Sequence, residues 1–79
     1  MIEKYDIYFN IALLIELLNK TSLAHYGLKL QESIDGGATG TEIIIALKWY
    51  LKNLLKEPEC GHNEKIKANE ILSELNKLS

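Results

Sequence analysis

Apolar residues recur every three or four positions in four stretches of this chain, and nowhere do they alternate with period two over five or more residues. Helical spacing lines side chains up on one face, whereas alternation is what a half-buried strand requires. Isoleucine raises the β-branched content, yet no segment carries the strand pattern. The fold class that follows is all-α.

The first stretch runs from about Lys4 to Asn19, with Ile7, Ile11, Leu14 and Leu18 in register. Ile15 and Leu17 widen the stripe, Tyr5, Tyr8 and Phe9 add bulk, and Asn10, Glu16 and Asn19 mark a wetter side. So broad a face predicts packing on more than one neighbour. Thr21 or Ser22 is placed to cap a second helix, whose Leu23, Tyr26, Leu30 and Ile34 share a face. Gly27 weakens that helix by roughly 1 kcal/mol relative to alanine and would permit a close crossing. Gly36-Gly37 should end it, with glycine supplying a left-handed cap.

Thr39-Gly40-Thr41-Glu42 has the form of a capping box, in which threonine and glutamate each satisfy the other's free backbone N–H. The helix behind it should bury Ile43, Ile44, Leu47, Leu51, Leu54 and Leu55 and turn Lys48, Lys52 and Lys56 to solvent. Pro58 and Gly61 close it. Asn63 is expected to cap a fourth helix reaching about Leu78, with Ile66, Ile71, Leu75 and Leu78 in phase and Leu72 flanking. Glu70 and Glu74, with Lys67 and Lys77, read as its solvated face. Connections at 20–22, 36–39 and 57–62 are short enough to make consecutive helices antiparallel neighbours. Residues 1–79 then form a single domain, an irregular four-helix bundle whose second helix is the shortest and least stable.

A core in a chain of 79 residues supplies rarely more than roughly 3–5 kcal/mol, so association with a partner or with itself as a homodimer would add usefully to stability. The net charge is -2, and every basic residue is lysine. Readers of nucleic acid favour the arginine fork, which matches phosphate and guanine edges, so nucleic acid is not the expected ligand. The segment around Glu3 and Asp6 lacks the basic start of a signal peptide, and the run Ile11 to Leu18 is broken by Glu16 and far short of a span. No membrane association is expected, and the cytoplasm is the expected compartment.

Catalysis would need a nucleophile with a base, a carboxylate pair in a cleft, or a metal cluster. His25 and His62 fall on separate elements. Cys60-Gly61-His62 offers two ligand types one residue apart where a zinc site needs three or four, and reads as a turn. The glycines at 36–40 lack the Gly-Lys-Ser/Thr of a phosphate loop, and Glu42 would put negative charge where phosphate sits. Thr21-Ser22-Leu23 lacks the aspartate of a carrier-protein attachment site. A helix-turn-helix reading founders on the apolar leading turn of TEIIIALKWYLK. The expectation is therefore no enzyme, no metal and no cofactor.

Protein recognition is what remains. Glu32, Asp35 and Glu42 bracket the glycine turn and could form an acidic knob. Trp49 and Tyr50 cannot both enter a core filled by Leu47, Leu51 and Leu54, so one should reach the surface, where aromatic residues serve as anchors. Nearly every other apolar side chain is expected to be consumed in the core.

The segment LQESIDGGATGTEIIIALKWYLKNLL, Leu30 to Leu55, resembles the central part of small helical immunity proteins of bacterial polymorphic-toxin and contact-dependent-inhibition systems, the Maf type among them. The shared pattern is Ile34, Asp35 and Gly37 at a helix end, then Glu42 and the amphipathic run from Ile43. The resemblance covers about a third of the chain. It implies a cytoplasmic inhibitor that binds a cognate toxin, commonly a basic nuclease domain, with Glu32, Asp35, Glu42, Trp49 and Tyr50 as candidate contacts. A helical regulator or antitoxin touching DNA is the alternative.

Overall fold

The computed structural model describes residues 6–36 and 39–78. Lys4, Tyr5 and Gly37, to which the sequence assigned roles, lie outside the described residues. Four helices follow one another: α1 (Ile7–Asn19), α2 (Ala24–Asp35), α3 (Gly40–Lys56) and α4 (His62–Leu78). Each packs on its chain neighbours and α1 closes against α4, so the helices form a ring in which, among the described residues, neither diagonal pair brings its backbones together. The result is a flattened bundle, 31 × 28 × 19 Å.

Inside the ring lies one core. Ile11, Leu14 and Leu18 enter it from α1, Leu30 from α2, Leu47, Leu51 and Leu54 from α3, and Ala68, Ile71, Leu72 and Leu75 from α4. Leu23 and Cys60 join it from the connections. Ile43, Ile44 and Leu55 pack at its margin, half-buried. Helices two and one cross closely at Gly27, where a Cβ would stand 3.3 Å from Ile15 Cγ2 and 3.6 Å from the Ile15 carbonyl oxygen.

Helix ends depart from the sequence reading in four places. α1 is capped by Asp6, whose carboxylate accepts from the Phe9 N–H at 3.1 Å. Neither Thr21 nor Ser22 caps α2, which starts after Leu23 without a side-chain cap. Thr21 instead ties the turn together, donating to the Leu18 carbonyl and accepting from the Leu23 N–H. Gly36 has φ -75°, so the left-handed conformation expected of this turn is not adopted there. α4 begins at His62, one residue before the expected cap Asn63, with Lys65 N–H bonding to the Gly61 carbonyl. The capping box of α3 is formed as expected, with Glu42 N–H to Thr39 Oγ1 at 3.3 Å and Thr39 N–H to Glu42 Oε1 at 3.2 Å.

Among the described residues, eight large apolar side chains stay exposed: Tyr8, Phe9, Leu13, Leu28, Ile45, Trp49, Ile66 and Leu78. The expectation that nearly all would be consumed is thereby corrected. Phase predicts Ile66 and Leu78 in the core, but both are exposed, and α4 buries Ala68 and Leu72 beside Ile71 and Leu75. A ring lets each helix bury only the faces turned to its two neighbours and the interior, so the fourth side of every helix is left to solvent.

Candidate functional site

A face centred on α3 gathers the aromatic candidates. Trp49 lies two positions on from Leu47, about 200° round the helix and therefore opposite the core stripe. It is 60% exposed, as is Ile45 at 62%, one turn before it. Tyr50 sits about 60° from that stripe, is half-buried, and packs against the core. The two rings meet edge to face, 5.0 Å between centroids at 87°, a favoured aromatic geometry. Trp49 is therefore the aromatic that reaches the surface, and Tyr50 is the wall that backs it.

Trp49 and Tyr50 together separate two shallow hollows. One, about 340 Å³, is lined by Glu42, Ile45, Ala46, Trp49 and Tyr50. The other, about 200 Å³, is floored between α2 and α3 by His25, Tyr26, Lys29 and Asn53 with the same two rings. A larger hollow on α4 is lined by that helix alone, with Glu70 and Glu74 on its wall, and holds no aromatic anchor.

The acidic candidates hold local partners. Glu32 pairs with Lys29 at 3.7 Å, and Asp35 accepts from Gln31 Nε2 at 3.0 Å. Glu42 has one oxygen committed to the capping box. All three are exposed at the end of the bundle where α2 hands over to α3. Only Glu42 lines a hollow beside Trp49, and on the other side of that ring stands Lys29. The face is thus of mixed charge around an apolar ridge, not an acidic knob alone.

One polar cluster had no signal in the helical pattern. Tyr26 donates through its hydroxyl to Glu57 at 2.7 Å, and Ser22 donates to Glu59, fastening the α3–α4 connection to the start of α2. The bond to Glu57 holds the Tyr26 hydroxyl above its ordinary pKa, and burial and the Glu57 charge push the same way. Cys60 lies in the core beside this connection. Burial raises its thiol pKa, and the negative charges of Glu64 and Glu57 add to that while Lys65 opposes it. Lys67, expected on a solvated face, also reaches across to α1 and donates to Asn10 Oδ1 at 2.9 Å.

Among the described residues no group of three or more His, Cys, Asp or Glu side chains is positioned to hold a metal ion. No helix there is long and apolar enough to cross a membrane. Comparison with protein-family models, with curated proteins and with solved structures gives no match to this chain.

Proposed function

We propose that this chain is a protein-binding module that docks its partner on the Trp49 face, and that the partner is a cognate bacterial toxin which it neutralises as an immunity protein. The observation that carries the binding reading is the exposure of Trp49 on a ridge stiffened by Tyr50. A tryptophan that already rests edge to face on Tyr50 between two hollows has less freedom to lose on docking than an unsupported one, and large aromatic side chains are enriched among binding anchors. The toxin half of the proposal leans on the resemblance of Leu30 to Leu55. Glu32, Asp35 and Glu42 at the neighbouring end would hasten encounter with a basic partner, a contribution that salt screens.

Co-expression with the product of each adjacent gene tests it. The expected result is a stoichiometric complex that suppresses the partner's toxicity, weakened at least about 30-fold by Trp49→Ala. Added salt should slow association more than it speeds release. Failure to bind any adjacently encoded protein, or unchanged binding by Trp49→Ala, overturns the reading. Sequence-discriminating gel shifts at physiological salt would instead favour the DNA-contacting alternative.

A further inference from the structure

The outward face of α1 carries a second apolar surface on the other side of the ring from the Trp49 face. At about 100° per residue, Asp6, Phe9, Leu13 and Lys20 fall along one ridge, with Ala12 and Glu16 to one side and Leu17 to the other. Phe9 is 60% exposed, Ala12 is exposed, Leu13 is 36% exposed, and Leu17 is half-buried. The ridge begins with a carboxylate, Asp6, and ends with an ammonium, Lys20, both exposed.

That order of charge selects the occupant. We infer that a second copy of this chain packs antiparallel along α1, related by a twofold axis through Leu13. In such a pair the surface meets itself, so each contact occurs twice. Leu13 meets its counterpart on the axis and Phe9 meets Leu17 of the other copy. Asp6 meets Lys20, and Glu16 comes over Asn10, where the Lys67 ammonium already sits. A parallel pair would instead set Asp6 on Asp6 and Lys20 on Lys20, which repel.

α1 is about 20 Å long, and a seam of that length is small beside the interfaces of permanent dimers. The dimer is therefore reversible, and its population rises with concentration. Because α1 and α3 are the diagonal pair of the ring, with their outer sides turned away from each other, pairing through α1 leaves both Trp49 faces open. The assembly presents two docking sites, and this inference stands whether or not the toxin reading does.

Sedimentation of the full chain over a wide concentration range tests it. The expected result is a monomer–dimer equilibrium that Leu13→Glu weakens about tenfold or more, and that Phe9→Glu, at a side chain 60% exposed, weakens likewise with the helicity of the dilute protein unchanged. Under mild oxidation Leu13→Cys should link to itself, whereas Lys20→Cys, at the far ends of an antiparallel pair, should not. A monomer at every concentration overturns the inference, as does self-linking of Lys20→Cys, which would mean parallel pairing. Loss of self-association on Trp49→Ala rather than on Leu13→Glu also overturns it, by moving the contact to α3.

Discussion

Gly27 sets two effects against each other. Alanine there would gain roughly 1 kcal/mol of helix propensity, but its Cβ would press on the Ile15 methyl at 3.3 Å. Ile15 is β-branched and stiff about χ1, so it yields little. Gly27→Ala should therefore change the unfolding free energy by less than about 1 kcal/mol, while Gly27→Val forces the helices apart and costs about 1–3 kcal/mol; urea titration reads both. Tyr26 and Cys60 govern the alkaline limb. Each holds its proton more tightly folded than unfolded, so between the unfolded and folded pKa values the native state binds more protons. Stability then falls as pH rises. The loss should begin near pH 9.0, the ordinary value for the thiol, and steepen beyond 10.0, the value for the phenol. Urea midpoints should be level at neutral pH and drop above it, and Tyr26→Phe should remove the steeper part. The buried Cys60 should resist alkylation in the native protein and react promptly in urea.

Of the four helices, α3 has the strongest local start. Thr39→Ala removes one half of the capping box and should cost about 1 kcal/mol, seen as a lower melting temperature. Glu42 serves both the cap and the candidate face, and the two roles separate by substitution. Glu42→Gln keeps a side chain able to close the box, so it should leave stability within about 0.5 kcal/mol yet slow partner association at low salt. A fall in melting temperature as large as that of Thr39→Ala would show that the charge, not the geometry, matters to the helix. α2 lacks a side-chain cap and carries a glycine at its closest crossing. Its start is held by tertiary bonds instead, Tyr26 to Glu57 and Ser22 to Glu59. Amide exchange should accordingly be fastest in α2, and faster still in Tyr26→Phe.

At the scale of the molecule, the ring arrangement leaves a narrow core and an outer surface rich in apolar side chains. A total stability of roughly 3–5 kcal/mol is comparable with the 2–5 kcal/mol cost of one buried leucine truncated to alanine. Leu51→Ala, at a position with 0% exposure, should therefore leave the chain largely unfolded at room temperature by circular dichroism. Trp49→Ala, on the outer side, should leave it folded with a change within about 0.5 kcal/mol. That pair of results would separate the residues that hold the bundle from those that present a surface.

The helices, the box that opens α3 and most of the core are legible in the sequence, because periodicity and capping are local properties of a few consecutive residues. Leu14, Leu47, Leu51 and Leu75 lie on stripes that any helix would present together. The outward turn of Trp49 was implicit in the same geometry, since it lies half a turn from Leu47 and Leu51. What only the packing decided is which stripes meet a neighbour. Phe9, Leu13 and Ile66 are as apolar as the residues of the core, yet a ring of four gives each helix two neighbours and leaves its outer side bare. The bonds from Tyr26 to Glu57 and from Lys67 to Asn10 were likewise invisible, because each joins residues far apart in the chain that meet only once the helices are packed.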